Sequence, residues 1–297
     1  MRLGIVTPVV NLNPRFDPPP WELDGTMDDI VEVARAAEAA GYEWVSCPEH
    51  VCVPAGAAGQ RGGRYWDPLV TLSTVAAHTT RIGLLSHVLV LGYHHPLEVV
   101  KSYGSLDEAS GGRVLLGVGV GTLRPEFDML GVPFDDRGAR ADDALRAIRA
   151  AFGRRAPSYD GPYYRFSDVV VDPCGLDRPV AMWIGGRSRR SLRRAVELGD
   201  GWIPFGLALP DLRALLADPA LAEGVQARAG AFEVVLAPEP PVDPLSRPGE
   251  TAAVVEAYAE AGATALSLRF EHRSRSHYVE QLGAMAELVA TSTGLTG

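Results

Sequence analysis

Short apolar runs alternate with longer amphipathic stretches about eight times along the chain. The apolar runs predict strands at 5–8, 44–50, 82–91, 114–121, 180–186, 201–205, 232–236 and 265–270. Each parallel pairing needs a crossover, usually a helix, so this alternation predicts a parallel sheet. Eight repeats within 297 residues favour an α/β fold of the (β/α)8 TIM barrel type. In such a barrel the active site lies at the carboxyl ends of the strands, where nearly every predicted strand here ends in glycine, histidine, serine or a carboxylate.

Capping signals place the helices between these strands. Thr26 and Asp29 form a variant of the capping box, and Asp67 precedes Pro68 as an N-cap precedes the first helical residue. The predicted helices cover 26–40, 67–78, 96–110, 136–152, 188–198, 250–261 and 277–290, with one or two short helices in 210–229. Gly262 is the predicted C-cap of the helix that ends at Ala261.

Two segments are longer than ordinary βα loops. Residues 52–66 are rich in glycine, alanine and proline and follow the second strand, so we expect a loop that acts as a lid. Residues 155–178 form an insertion between the fourth and fifth strands, with a short hairpin and a strand-like run at Val169-Val170-Val171. Neither segment has the composition of a linker, so residues 1–297 are interpreted as a single domain.

Composition narrows the class of protein. Hydrophobic residues make up 46% of the chain, enough for a large core, and the net charge of −9 argues against a nucleic-acid surface. No apolar run reaches the length of a membrane span, and no secretion signal is visible. Three cysteines without a CxxC pair fit a reducing compartment, so a cytoplasmic location is expected.

The predicted fifth strand runs into Gly185-Gly186-Arg187-Ser188 and then directly into a helix. Backbone N–H groups at a helix N-terminus, together with Arg187 and the Ser188 hydroxyl, suit a phosphate. The alternative is a tight turn in which Ser188 acts only as an N-cap. The arginines that follow, at 189, 190, 193 and 194, are interpreted as a solvated helix surface.

Gly117, Gly119 and Gly121 end the fourth strand, and Thr122 follows. The run lacks the further glycine and the later acidic residue that a dinucleotide-binding fingerprint requires. A Rossmann interpretation is therefore rejected. Glycines inside a strand indicate either close approach of another backbone or a flat ligand, or barrel curvature, and these interpretations remain open.

Glu49 and His50 end the second strand, and Ser86 and His87 lie in the middle of the third. Histidine titrates near neutrality and suits proton transfer or a hydrogen bond to a heteroaromatic ring. A zinc site at Cys47, His50 and Cys52 is rejected because a partner pair is missing and the spacing is wrong, so no metal is predicted. His94 and His95 are interpreted as rim residues.

Several segments together resemble the luciferase-like monooxygenase superfamily, in particular its F420 (deazaflavin)-dependent oxidoreductases. The similarity is carried, in order, by 41–50, 67–72, 110–121, 183–188 and 198–202. The resemblance implies a flavin-like ring across the barrel mouth, with its phosphate at Gly185 to Ser188. It also implies a bulge with a non-prolyl cis peptide at His87-Val88, and an acidic–histidine pair at Glu49 and His50.

The predicted catalytic residues are His50, as proton donor or acceptor, and Glu49, which orients it or binds the cofactor. The predicted cofactor-binding residues are Glu49, His50, Ser86, His87, Val88, Gly119, Gly121, Thr122, Gly185, Gly186, Arg187 and Ser188. The chain departs from the family at two positions. Thr122 stands where the sugar-phosphate dehydrogenase branch has a glutamate, which removes the expected acid, and His87 stands where a small residue is commoner.

The resemblance implies an F420-dependent oxidoreductase that transfers a hydride between the cofactor and a small organic substrate, for example in reducing an imine or activated C=C bond. The first alternative is an FMN-dependent monooxygenase that uses O2, and the second is a non-catalytic flavin-binding barrel. A homodimer is expected. The expected substrate pocket has walls from 52–66, 205–209 and Glu271-His272.

Overall fold

Eight parallel strands close into a barrel in the computed structural model, which describes residues 1–228 and 230–293. Their order around the barrel is β1-β10-β9-β8-β7-β4-β3-β2, and β2 pairs with β1. The barrel strands are β1 (Arg2–Val6), β2 (Trp44–Cys47), β3 (Gly83–Val90), β4 (Val114–Gly119), β7 (Ala181–Gly185), β8 (Gly201–Ile203), β9 (Glu233–Leu236) and β10 (Ala265–Leu268). This arrangement confirms the predicted TIM barrel.

Helices surround the barrel. They are α1 (Pro20–Leu23), α2 (Met27–Ala39), α3 (Ala55–Arg61), α4 (Pro68–His78), α5 (Pro96–Ser110), α6 (Arg124–Leu130), α7 (Arg137–Ala151), α8 (Arg189–Leu198), α9 (Leu209–Leu216), α10 (Pro219–Ala227), α11 (Pro248–Glu260) and α12 (Arg275–Thr293). Short 3-10 turns cover Pro14–Phe16 and Leu91–Tyr93. Within the described ranges, no helix combines the length and apolarity that a membrane crossing needs.

The capping signals predict the helix starts well. The Asp29 carboxylate accepts the N–H of Thr26 at 2.9 Å, which completes the capping box of α2. Asp67 accepts the N–H of Val70 at 2.8 Å and caps α4. At the end of α11, Ala261 is the C-cap, and Gly262 follows it with a φ of +98°.

The insertion after α7 differs in part from its prediction. The hairpin is present as β5 (Tyr159–Asp160) paired with β6 (Arg165–Phe166). The strand-like run at Val169-Val170-Val171 lies outside the strands that the structure describes and pairs with none of them. Val171 N–H donates to the Arg155 carbonyl at 2.9 Å, and Val170 is exposed.

The expected lid at 52–66 contains a helix, α3, because its alanines favour helical structure. The one or two short helices predicted in 210–229 are present as two, α9 and α10, and Ala229 itself lies outside the described residues.

Large side chains fill the barrel interior. Trp44 and Trp183 meet edge to face with ring centroids 5.2 Å apart, inside a buried cluster. Gly4 on β1 makes room for this pair, since a Cβ there would lie 1.9 Å from Trp44 Cε2. The interior is therefore a packed core, and open space is left to the mouth.

The register of β3 against β4 shifts between Ser86 and Leu89, and the His87–Val88 peptide bond is cis. The bulge and the non-prolyl cis peptide implied by the resemblance are thus both present.

Candidate functional site

The predicted site residues lie on β2, β3, β4 and β7 or directly after them. These four strands are consecutive neighbours in the barrel, so their carboxyl ends form one continuous arc of the mouth. The structure therefore brings together residues that are up to 139 positions apart, from Glu49 to Ser188.

His50 is held by a carboxylate that the sequence analysis did not single out. Its Nδ1 lies 2.6 Å from Oε2 of Glu126, on α6, and the Glu126 side chain is completely buried. The other oxygen of Glu126 accepts the N–H groups of Val51, at 2.7 Å, and Cys52, at 3.2 Å. Because an ionised carboxylate only accepts hydrogen bonds, Nδ1 of His50 carries a proton. Nε2 has no partner among the described residues and is available for chemistry.

The sequence predicts that Glu49 orients His50 or binds the cofactor. In the structure, Glu49 has other partners than His50. One oxygen accepts the N–H of Val90 at 2.6 Å, and the other lies 2.6 Å from Nε2 of His94. Glu49 thus ties the end of β2 to β3 and to the start of α5. Its role as a cofactor ligand stays a prediction.

Two side chains near these carboxylates have shifted pKa values. Burial, and then the hydrogen bond and charge of Glu126, raise the pKa of the Tyr93 hydroxyl, so it stays protonated. Burial opposes the charge on His94, but the hydrogen bond and charge of Glu49 outweigh it and raise the pKa of His94. His94 is therefore a partner of Glu49 and more than a rim residue.

The bulge on β3 carries three predicted site residues, Ser86, His87 and Val88, whose side chains have different surroundings. Ser86 is buried and its hydroxyl donates to the carbonyl of Gly117 at 2.9 Å, which occupies it inside the barrel wall. His87 has a buried Nε2 without a hydrogen-bond partner among the described residues, and its ring centroid lies 6.3 Å from that of Phe205.

Val88 explains two of the predicted glycines. A Cβ on Gly119 would lie 2.6 Å from Val88 Cγ2, and a Cβ on Gly185 would lie 2.5 Å from Val88 Cγ1. Both glycines are therefore required by the inserted side chain of the bulge. At Gly119 the approaching group is the Val88 side chain, which neither interpretation of the glycine run named. The roles of Gly119 and Gly185 in cofactor binding stay predictions.

Gly121 has a φ of +74°, a conformation that favours glycine, and a Cβ there would lie 2.6 Å from the Phe127 ring. The next residue, Thr122, is exposed and its side chain has no hydrogen bond among the described residues. Thr122 itself supplies no acid, as the sequence predicts, but Glu126 on the following helix places a carboxylate in this part of the mouth. The α6 helix, absent from the sequence prediction, begins two residues later and turns Glu126 back towards His50.

The turn from β7 to α8 places Gly186, Arg187 and Ser188 directly before the N-terminus of a helix. Gly186 has a φ of +103°, and Ser188 caps α8, its Oγ accepting the N–H of Ser191 at 3.2 Å. That cap leaves the N–H groups of Arg189 and Arg190 and the hydroxyl proton of Ser188 available. The guanidinium of Arg187 is exposed and has no ion pair among the described residues. The N-cap interpretation is correct and is compatible with anion binding.

The later arginines are mostly surface residues, as expected, with one exception. Arg189 pairs with Asp218, and Arg193 lies 3.9 Å from Glu197. Arg194 is buried and pairs with Asp142, which joins α8 to α7.

The sequence of the whole chain decides its family. The sequence model of the family described as luciferase-like monooxygenase matches residues 1–291. The chain belongs to this family. Members of the luciferase-like family, including F420-dependent reductases and monooxygenases, are oxidoreductases, and this chain is an oxidoreductase too.

Relatives within the luciferase-like family are diverse. An uncharacterised protein of Mycobacterium tuberculosis (strain ATCC 25618 / H37Rv) is 30% identical over 270 residues, which cover 84% of this chain and 91% of that protein. An FMNH2-dependent dimethylsulfone monooxygenase of Pseudomonas putida is 26% identical over 225 residues, covering 73% of this chain and 59% of the relative.

Among solved structures, the coenzyme F420-dependent tetrahydromethanopterin reductase of Methanopyrus kandleri has a similar fold. It has a TM-score of 0.71 and 16% identity, over 98% of this chain and 99% of the reductase. At this identity the likeness shows the fold alone.

Proposed function

We propose that this luciferase-like protein is an F420-dependent oxidoreductase that transfers a hydride between the cofactor and a small organic substrate, such as an imine or activated C=C bond. The observation that carries the proposal is His50, whose Nδ1 is fixed by buried Glu126 while Nε2 is unoccupied at the mouth. When bound, the deazaflavin supplies a two-electron centre at C5 of its ring.

His50 has the part of the proton carrier. A hydride transfer to a C=N or C=C bond leaves a negative charge on the substrate that one proton must balance. With Nδ1–H donated to Glu126, Nε2 gives or accepts that proton, and Glu126 stabilises the imidazolium when both nitrogens are protonated. Glu126 acts through His50 and is therefore a positioning residue.

The residues present fit a phosphorylated flavin-like cofactor. The α8 N-terminus, the Ser188 hydroxyl and the unpaired Arg187 supply donors and charge for a phosphate. The buried, unpartnered Nε2 of His87 is a polar group with an unmet hydrogen bond beside the bulge. Gly119 and Gly185 support the bulge itself, and we propose that the ring rests against its exposed face.

A second candidate is an FMN-dependent monooxygenase. Its support is the similarity to the dimethylsulfone monooxygenase named above, which uses FMNH2. The same barrel fold serves both cofactors among similar structures, so the fold itself does not choose between them.

Titrating purified protein with F420 and with FMN, and following cofactor fluorescence, tests the proposal. We expect F420 to bind at least about tenfold more tightly than FMN, a difference of about 1.4 kcal/mol. Tight FMN binding without F420 affinity would contradict the proposal and favour the monooxygenase.

The same titration on Glu126→Gln separates proton handling from cofactor binding. We expect F420 affinity to stay within about threefold of the wild type, since Glu126 is buried behind His50. In nitrogen NMR spectra, the His50 ring should change from one dominant Nδ1-protonated form to a mixture of tautomers. An unchanged His50 spectrum would show that Glu126 does not set the proton position.

A further inference from the structure

A cavity of about 450 Å³ opens at the barrel mouth on the side of β1 and β10. Its walls come from the segment after β1, within 6–22, and from the segment after β10, within 269–278. In the barrel order, β1 lies four strands from β7, so the cavity lies across the mouth from the anion site at Gly186 to Ser188.

Arg269 projects into this cavity directly after β10. Its carbonyl accepts the N–H of Val242 at 2.9 Å, which fixes the backbone. Its guanidinium carbon lies 4.0 Å from the centroid of the Phe16 ring. Among the described residues, this guanidinium has neither a hydrogen bond nor an ion pair. Burial lowers the pKa of Arg269.

The carboxylates nearby already have other partners. Glu22 binds the N–H of Val9 at 2.8 Å and lies 3.2 Å from His272, Glu239 binds Arg15 at 2.8 Å, and Glu271 binds Arg247 at 2.5 Å. Asp17 and Asp243 also line the cavity. Asp17 is exposed and forms no ion pair with Arg269, and Asp243 accepts a hydrogen bond from Nε2 of Gln281 at 2.7 Å. Arg269 is half-buried, lines the open cavity and forms no ion pair with these carboxylates, so it is placed for a ligand that supplies negative charge.

The cavity adjoins the proposed reaction centre. The Tyr65 ring stands edge to face with His50, with centroids 4.6 Å apart. The Tyr65 backbone bridges to Asn11, which lines the cavity. From the opposite side, burial and then the charge of Arg269 lower the pKa of His87, so Arg269 acts electrostatically across the same opening.

We propose that the substrate carries an oxyanion, such as a carboxylate, that binds the Arg269 guanidinium, while the rest of the molecule extends past Tyr65 towards His50. This rests on the proposed function, because it takes His50 as the site of reaction. The planar guanidinium, stacked on Phe16, presents two parallel N–H donors that match a carboxylate. A cavity of this volume accommodates a small organic molecule.

The same anionic chemistry could come from the tail of a deazaflavin cofactor. The experiment therefore treats cofactor and substrate separately. Benzoate and its uncharged amide, benzamide, are titrated by calorimetry into cofactor-free wild type, Arg269→Gln and the control Arg154→Gln. Arg154 is exposed and follows the carboxyl end of α7, far from the mouth. Its substitution removes the same charge as Arg269→Gln and so serves as the control.

We expect the wild type to bind benzoate at least about tenfold more tightly than benzamide, and Arg269→Gln to lose about tenfold or more of the benzoate affinity. Arg154→Gln should stay within about twofold of the wild type. Equal binding of acid and amide, or unchanged benzoate binding in Arg269→Gln, would overturn the proposal.

Two further readings keep the outcomes distinct. F420 and FMN affinities should be unchanged in Arg269→Gln; a loss of F420 affinity alone would assign Arg269 to the cofactor tail and overturn the substrate proposal. If neither cofactor binds the wild type, the proposed function fails, while the benzoate comparison still reports on Arg269.

Arg269→Met should melt at or above the wild-type Tm, because it removes an unpaired charge. A much lower Tm together with lost binding would show a structural role and contradict the proposal.

Discussion

The side chain of His87 is half-buried at the mouth, and its Nε2 is buried at a cost to stability. Its Nε2 has no partner among the described residues, and burial, with a smaller contribution from the Arg269 charge, lowers its pKa to about 4 from 6.5. His87 is therefore neutral at pH 7, and it can offer either a donor or an acceptor to a ligand.

Protonation of His87 should destabilise the fold at mildly acidic pH. Its folded-state pKa is below the unfolded value, so its contribution is fully present above about pH 6.5 and is lost as the pH falls towards 4. At about 1.4 kcal/mol per pKa unit, the loss reaches about 3 kcal/mol near pH 4. Urea unfolding of cofactor-free wild type and His87→Gln at pH 7 and pH 4.5 measures it. The variant should lose less stability than the wild type; equal losses would mean that His87 titrates normally.

At the residue scale, the sequence points to the right strand ends but not to the right pairs. Glu49 and His50 are adjacent in the chain, but β2 ends at Cys47, and in the segment that follows the two side chains take separate partners. The true partner of His50, Glu126, is 76 positions away. Only the closed barrel brings His50 and Glu126 together. From the local sequence alone, Glu126 is just an acidic residue shortly after the glycines of the fourth strand.

At the element scale, the β3 bulge, β4 and β7 form one packed unit. Val88 lies between the Cα atoms of Gly119 and Gly185, with room for no Cβ at either position. The two glycines and the bulge are therefore a matched set, in which the small residues exist because a neighbouring strand carries an inserted side chain.

Gly119→Ala should cost about 1–3 kcal/mol of stability by overpacking against Val88. In the double variant Gly119→Ala with Val88→Ala, the cost should be smaller than the sum of the single costs by at least about 1 kcal/mol. Urea unfolding of the four proteins gives this coupling. The control is Gly283→Ala in α12, where a Cβ meets nothing within 4 Å, and which should gain about 0.5–1 kcal/mol. Additive costs at Gly119 and Val88 would refute the packing argument.

The elements themselves follow from local pattern where that pattern is strong. The barrel strands and the capped helices α2, α4 and α5 are predicted within a few residues, because alternation, N-caps and C-terminal glycines act over short distances. The short helices α3 and α6 were missed, since each is 7 residues long and gives little periodicity. The valines at 169–171 favour a strand by propensity but do not form one, because a strand needs a partner and the insertion provides none there.

At the scale of the whole molecule, the residues that hold the barrel together are separate from those that we propose bind ligands. The interior layer around Trp44 and Trp183 holds the strands together, and Gly4 gives Trp44 its space. The arc from His50 to Ser188 and the Arg269 cavity lie beyond the carboxyl ends of the strands. The sequence predicts this division through the barrel topology, but it does not choose between F420 and FMN, because one fold serves both.

Two variants test that separation directly. Gly4→Ala places a Cβ 1.9 Å from Trp44 Cε2, and should lower Tm by several degrees while cofactor affinity stays within about threefold. Trp44→Phe in the same chain should restore part of the loss, because a smaller ring frees the space. Arg187→Gln removes an exposed, unpaired charge and should leave Tm unchanged while weakening cofactor binding by about tenfold. Thermal unfolding and cofactor titration of the same preparations measure both quantities. If Gly4→Ala weakened binding as much as Arg187→Gln does, the interior layer and the mouth would be energetically coupled, and the site could not be treated as a set of loops on an independent scaffold.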